Sequence, residues 1–498
     1  MIWWQNLPFF SIIGSLLSAS IAFILPRKRA RHFTLLILGL DVLSGLLLLH
    51  RIILLNAGPF VFQMGHFPMP WGNVIRCGVL EAFLASFFPA VMLCAVAAGQ
   101  PSLEELSEKN RESLSCAIVL LLITALLAQI YSNDLFTCYV FLEIMTLTAC
   151  ALIVLRDSGR ALMAGMRYMV LNLVGSGLFL LGIVLLYSLT GHLLMEPLHS
   201  SIQALSQAGT HHRSLTIILA LMTVGLCVKS ALFPFHSWVP DAYSSALPSS
   251  NAILSSLVSK GYILLLLKIY VRVFGWDLVL ASRVDHLLLL FSLSGLVVGS
   301  LEALRTTHFL RMIAWSSVAQ IGYIYLGLAL GAGLGYRAAL FHLCVHAAAK
   351  SLLFLSADML QRVSENRDRI QCLRGAARRS PVFGLCWTIA AFSMVGLPFT
   401  GGLISKLLLG EAALSHSRIV AIISLLALAL SSFLHILYFL RTVILLWSPD
   451  PETTGPVPSV RVGGTPLLAC CTLAVASIAL FFLADPLLQL FSLGLSQF

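Results

Sequence analysis

The chain has 498 residues, 59% of them hydrophobic and 10% charged, with a mean hydropathy of +0.94. No soluble domain of this length is so apolar, so composition excludes the soluble and disordered classes and leaves a polytopic membrane protein. The net charge of +10 is not a sign of nucleic-acid binding, because the basic residues sit in short connections between apolar runs, where they set orientation.

Apolar runs of about 20 residues, enough to cross a bilayer, can be counted from end to end. About fourteen occur, near 7–25, 33–55, 75–98, 114–131, 134–155, 166–189, 214–233, 250–274, 285–304, 309–330, 336–360, 381–415, 418–446 and 465–493. The first lacks a basic lead and reads as a retained span rather than a cleaved signal. The segments RKRAR (27–31), RDSGR (156–160) and QRVSENRDRIQCLRGAARRS (361–380) fall on one side, expected to be cytoplasmic. The other side carries few basic residues, notably Arg213, Arg272, Arg283, Arg337 and Arg418, and an even number of spans puts both termini there. The longest connections, 56–74, 99–113, 190–213, 361–380 and 447–464, are too short for a soluble core. Any redox or nucleotide site must come from partners. Eleven cysteines, single apart from Cys470 and Cys471 and without a CxxC pair, read as small apolar filler rather than metal or cluster ligands.

The seventh and eighth runs hold the stretch VKSALFPFHSWVPDAYSSALPSSNAILSSLVSK, from Val228 to Lys260. Lys229 ends an apolar run, Pro234 and Pro240 are expected to break the helix, His236 and Asp241 follow, and Lys260 lies in the next run. Ionisable groups at membrane depth are costly and mark ion paths, and broken backbone is tolerated there only against protein or a wet cavity. The twelfth run echoes this: in VGLPFTGGLISKLLL, Pro398 and the Gly401-Gly402 pair precede Lys406. Five spans separate the two breaks. A five-helix unit used twice, spans four to eight (114–274) and nine to thirteen (285–446), has odd length and would be inverted in the membrane. Residues 1–113 form a three-helix lead and 447–498 a closing loop and helix.

Glu143 lies near the middle of the fifth run, where a lone carboxylate would be protonated or paired, and Lys229 is its natural partner. Lys260 shares its run with Ser255, Ser256 and Ser259. His342, His346 and Lys350, spaced by four, line one face of the eleventh run and suit a proton relay. Metal binding at that histidine spacing is not expected, since no carboxylate or cysteine joins them. Lys406 is the terminal candidate and His435 a weaker one. Glu81 with Arg76, Glu302 with Arg305, and Asp358 with Arg362 read as structural pairs at span ends.

These residues sit in long motifs. DLFTCYVFLEIMTL surrounds Glu143, KSALFPFHSWVPDAYSSALP follows Lys229, and SSLVSKGYILLLL surrounds Lys260. LRMIAWSSVAQIGYIYLGL starts at Leu310, ALFHLCVHAAAKSLLFL surrounds His346, and VGLPFTGGLISK ends at Lys406. In these motifs the chain resembles the antiporter-like subunits shared by respiratory complex I, membrane-bound [NiFe] hydrogenases, formate hydrogenlyases and Mrp-type sodium/proton antiporters. The segment FQMGHFPMPWGNV (62–74) looks like the Mrp and hydrogenase branch, and Lys406 argues against the complex I branch that has a glutamate there.

The resemblance implies an all-α fold of fourteen spans with two inverted repeats and a central hydrophilic axis. It implies that Glu143, Lys229, Lys260, His346 or Lys350, and Lys406 carry protons, or exchange sodium for protons, and that the chain does no bond chemistry. The first expectation is an ion-translocating subunit of a redox-driven complex in the cytoplasmic membrane, beside homologous membrane subunits. Iron-sulfur, nickel-iron or flavin centres would lie in its peripheral partners. The alternative is a subunit of an Mrp-type antiporter with no redox partner. A third reading, a spacer that no longer conducts, conflicts with retained intramembrane charges that each cost about 2.5 to 3.5 kcal/mol on insertion scales.

Overall fold

The structure is a computed structural model that describes residues 3–54, 58–64, 73–104, 111–209, 211–331, 333–365, 367–449 and 463–497. Residues 65–72 of the 62–74 motif, and the middles of the connections 56–74, 99–113 and 447–464, lie outside the described residues. Thirteen helices within them are long and apolar enough to cross a bilayer. Pro381–Val395 and Gly401–Leu414 together make the twelfth of fourteen crossings, in two pieces.

The spans differ in what surrounds them. The eighth (Pro248–Phe274), tenth (Phe309–Leu330) and eleventh (Leu334–Arg362) are buried over 100%, 94% and 100% of their apolar windows, against 28% for the second (Arg27–Leu54). Polar side chains on those three therefore face protein, whereas the second, sixth (Gly159–Thr190) and thirteenth (Arg418–Trp447) present apolar faces outward.

Both breaks close in the same way. The seventh span runs His212–Ser230 and stops at Ala231, in the left-handed conformation with φ +65°, and Leu232 N donates to Cys227 O at 3.0 Å. The first piece of the twelfth stops at Gly396, φ +86°, and Leu397 N donates to Phe392 O at 3.1 Å. In each, the bond from the residue after the left-handed position caps a carbonyl five residues back, and a proline without an N–H follows, Pro234 or Pro398. Pro240, expected to break the helix as well, instead lies in the first turn of the re-entry helix Trp238–Ser245. A first-turn N–H has no partner within its helix, so proline costs little there. Gly401 starts the second piece of the twelfth span. A Cβ on Gly402 would meet Ser393 O at 1.7 Å, so the two pieces touch closely only because that residue is glycine.

The three basic segments share one end of the molecule. Arg31 lies 3.5 Å from Glu112, Arg111 pairs with Asp157, and Arg156, Arg160 and Arg362 line one cleft. RKRAR is not a loop, since the second span already begins at Arg27. At the other end, a hairpin of Phe60–Gln63 and Val74–Cys77 meets Trp4, with ring centroids 5.1 Å apart at Phe60. Gln497 joins the same end, where its Oε1 accepts from Val79 N at 3.2 Å. The last predicted run is also shorter than expected: it ends at Phe482, and a new helix, Ala484–Ser496, carries Pro486 in its first turn.

Two expectations about charge are corrected. Arg272 is not a loop residue: it is buried in the π-helical turn Ile269–Phe274 that ends the eighth span, and it pairs with Glu81. Arg76 is not the partner of Glu81; it reaches the backbone of Gln497 and lies 3.9 Å from Glu196. Buried Lys268 completes the cluster, donating to the carbonyls of Gln129 at 2.8 Å, Ser132 at 3.2 Å, and Ile130. The boundary pairs Glu302 with Arg305 (2.8 Å) and Asp358 with Arg362 (3.1 Å) are present. Because removing one member of a buried pair strands the other, Glu81→Ala is expected to lose about 3–5 kcal/mol. Thermal unfolding of the purified chain should show a markedly lower midpoint; an unchanged midpoint would mean that Arg272 is compensated without Glu81.

Candidate functional site

Lys229 occupies the last turn before the first break, where the negative end of the helix dipole favours a cation. It is fully buried. Its Nζ lies 3.3 Å from Glu143 Oε1 and donates to Thr146 Oγ1 at 2.8 Å. Thr146 passes its own hydrogen to Leu142 O at 2.9 Å, so it accepts from both Lys229 and the Tyr262 hydroxyl, 3.1 Å away. The ammonium also sits 5.6 Å from the centre of the Tyr262 ring. Glu143 differs from the expectation of full burial: the side chain is 29% exposed, on the outward face of the fifth span (Leu135–Val154) between Val140 and Leu147.

Lys260 lies two residues before Tyr262 on the eighth span. Here the helix widens into a π-helical turn, Leu254–Val258, which disturbs the regular ladder, and Lys260 Nζ donates to Ser255 O and to Ser259 Oγ at 3.3 Å. Ser255 Oγ meets Ser317 Oγ of the tenth span at 3.0 Å. The neighbouring Ser316 hydroxyl, together with Ile313 O at 2.9 Å, holds Lys350 of the eleventh. Lys260, Lys350 and His346 lie within electrostatic reach of one another.

His346 and His342 follow Lys350 along one helix face, with rings stacked 6.4 Å apart. Both are buried, and neither ring nitrogen of His346 has a hydrogen-bond partner among the described residues. His342 Nδ1 meets Ser405 Oγ at 2.9 Å. Since Ser405 gives its hydrogen to Gly402 O at 3.0 Å, Nδ1 is the donor and Nε2 keeps its lone pair. Lys406 is the next residue. It points inward rather than toward the bilayer surface, donating to Val395 O at 2.7 Å and Ser432 Oγ at 3.1 Å, with the Tyr323 ring centre 5.3 Å away. Val395 O is one of the carbonyls freed where the first piece of the twelfth span stops.

His435 joins this end of the line: Gln320 Nε2 donates to its Nε2 at 2.8 Å, its Nδ1 donates to Ser431 O at 2.5 Å, and its ring lies 6.0 Å from Tyr323. Two candidates fall elsewhere. His236 is half-buried between Phe233 and Trp315, at ring distances of 5.2 and 5.4 Å. Asp241 lies at the basic end, paired with Arg167 and with Arg311 at 3.4 Å. Among the described residues, no three His, Cys, Asp or Glu side chains converge as a metal site would require.

Sequence reasoning missed the residues between the titratable groups: Thr146, Tyr262, Ser316, Ser317, Tyr323, Ser405 and Ser432. The available signal was paired hydroxyls inside apolar runs, Ser316-Ser317 and Ser431-Ser432. The outer cluster of Lys268, Arg272 and Glu81 was also missed, and there the signal was a second lysine in the run that holds Lys260.

Known proteins share this architecture. The chain is 32% identical to the N-type membrane component of NADH-quinone oxidoreductase from Desulforudis audaxviator (strain MP104C) over 427 residues, 81% of this chain and 80% of that protein. It is 27% identical to the D-type component of the Na(+)/H(+) antiporter from Alkalihalophilus pseudofirmus (strain ATCC BAA-2126 / JCM 17055 / OF4), over 87% of this chain and 85% of that one. Among solved structures, a chain of the membrane-bound sulfane sulfur reductase, an archaeal respiratory membrane complex, superposes with a TM-score of 0.83. That match has 25% identity and covers 99% of this chain and 96% of the other. A chain of the Mrp complex from Dietzia sp. DQ12-45-1b has the same fold, with a TM-score of 0.86, 23% identity, and coverage of 100% and 97%. The profile of the NADH:quinone oxidoreductase/Mrp antiporter transmembrane family matches residues 132–432, well over half of the sequence, and the chain belongs to that family.

Proposed function

We propose that this antiporter-like membrane subunit moves protons along the buried line from Glu143 and Lys229, through Lys260, Lys350, His346 and His342, to Lys406. The observation that carries the reading is placement: titratable groups from the fifth span, the two broken spans and the enclosed eighth and eleventh form one row, and hydroxyls and a carbonyl of the tenth span stand between Lys260 and Lys350. Lys229 is the switch, because the Glu143 contact holds its charge and a shift of either helix would release it. Gaps between groups in the line need water, above all at His346, whose ring nitrogens have no protein partner among the described residues. The two halves, 114–274 and 285–446, act as paired units, and their identically capped breaks support this.

The part-exposed Glu143 sits on a lateral apolar face that includes Phe136, Val140 and Leu147, which suits a neighbouring membrane subunit bearing on the switch. The relatives' names place them in multisubunit membrane complexes, and we take the chain to work in one, driven by redox chemistry in peripheral subunits that hold the iron-sulfur, nickel-iron or flavin centres. The shared basic end supports a cytoplasmic face there and both termini outside, in the cell's inner membrane. Protons would enter from the cytoplasm and leave outside. The likeness to a component of a sodium/proton antiporter supports a second reading, Mrp-type exchange with no redox partner. Neighbouring genes for iron-sulfur or nickel-iron subunits would decide for the first.

Lys229→Ala is expected to abolish coupled proton movement in reconstituted vesicles of the complex while leaving assembly largely intact; near-normal pumping would remove Lys229 from the path. Glu143→Gln should cut translocation without altering subunit content on native gels, and an unchanged ion stoichiometry would reduce the pair to scaffolding. His346→Leu removes two unpartnered ring nitrogens, so thermal stability should hold or rise, while proton flux falls about tenfold or more. Full flux in that variant would show that protons bypass the eleventh span at this level.

A further inference from the structure

A cleft of 640 Å³ opens at the basic end, where the fifth-to-sixth connection meets the start of the tenth span and the end of the eleventh. Its lining carries five guanidinium groups, Arg156, Arg160, Arg167, Arg311 and Arg362, against three carboxylates, Asp241, Asp358 and Asp368, with His308 at the edge. Asp241 is taken up by Arg167 and Arg311, and Asp358 by Arg362. Arg156 and Arg160, both exposed, have no hydrogen-bond or ion-pair partner among the described residues. Five cations over three anions leave the cleft positive, and guanidinium is the side chain best shaped to take a phosphate by two parallel bonds.

The cleft does not end in water on its membrane side. Met163 and Arg167 also line a second hollow, of 440 Å³, whose other walls are Met166, Val170, Leu171, Ser237 and Trp238. Met163, Met166 and Val170 are 54%, 63% and 63% exposed on the outward face of the sixth span, and the apolar strip continues through Leu173 and Val174. Arg167 stands eight residues into that span, about 12 Å along its axis. Arg156 and Arg160 thus stand at the end of the span, and the hollow lies further along its apolar outward face.

We propose that cleft and hollow form one binding site for an anionic phospholipid, with its phosphate on Arg156 and Arg160 and one acyl chain along Met163, Met166 and Val170. A soluble phosphate compound would use the cleft and leave the hollow empty. A zwitterionic lipid would fill the hollow but bring its own cation to the arginines. Only a lipid with net negative charge satisfies both parts. Ser237 and Trp238 belong to the chain re-entering after the first break, so the bound lipid braces that break from outside.

The test uses the full-length chain in nanodiscs of phosphatidylcholine with a small fraction of phosphatidylglycerol, and counts the lipids retained by native mass spectrometry. One phosphatidylglycerol should be retained selectively. Arg156→Gln with Arg160→Gln should lower its retention about tenfold or more, and Val170→Trp, which fills the hollow, should do likewise. The elution volume and far-UV circular dichroism of both variants should match the parent. Soluble glycerol phosphate at the same concentration should not displace the lipid. Equal retention of the two lipids, unchanged retention in both variants, or displacement by glycerol phosphate would each overturn the proposal. So would a co-purifying protein segment cross-linked into the hollow in the intact complex.

Discussion

Inside a bilayer no water is available to satisfy a backbone carbonyl, so any interruption of a helix creates acceptors that the protein itself must serve. This constraint organises the whole molecule. Where the first piece of the twelfth span stops, Lys406 takes up Val395 O. Where the eighth widens into a π-helical turn, Lys260 takes up Ser255 O. The same solution recurs outside the line, where Lys268 serves the carbonyls that end the fourth span. Lysines and irregular backbone occur together here because each removes the other's desolvation cost.

The division between enclosed and lipid-facing spans follows from the same economy of polar groups. The eighth, tenth and eleventh spans can carry lysines, histidines and rows of serines because other helices surround them. The second and thirteenth have no such cover and place their polar residues mainly at their ends or inner faces. Close contacts make the enclosure possible: Gly175 and Gly225 let the sixth and seventh spans touch, and Gly402 lets the two pieces of the twelfth meet. Most of the titratable groups are thus held by the most enclosed spans of the fold, while the one carboxylate of the line, Glu143, stands at its lateral edge.

Much of this was legible in the amino-acid order, because hydropathy and helix length are read residue by residue. Fourteen crossings, the two interruptions and the titratable residues of the line could all be placed from apolar runs, Pro-Gly signals and motif order. What could not be read depends on rotation about helix axes and on packing. Glu143 looked like a fully sunken carboxylate because the fifth run is apolar all round, so nothing marked its outward face. Arg272 looked like a loop residue because it sits near the end of a run, and only the fold brings Glu81 to it from the third span. Pro240 was misplaced because proline signals both a break and a helix start, and the distinction lies in where the first turn falls. Asp241 seemed part of the path by its proximity to Lys229 in sequence, yet the re-entry helix carries it to the arginines.

The way three of the lysines are held has a consequence for how the interior tolerates changes of state. A carboxylate contact is strong only while the amine is charged, but a carbonyl or hydroxyl accepts a hydrogen from an ammonium and from a neutral amine alike. Lys260, Lys350 and Lys406, tied to oxygen atoms without formal charge, can gain or lose a proton and keep the same geometry. The hydrogen bonds that hold them therefore survive a change of charge, whereas where Lys229 faces Glu143 protonation makes or removes an ion pair between the seventh and fifth spans. On the proton path proposed above, that contact is where a change of charge most directly changes what joins two helices.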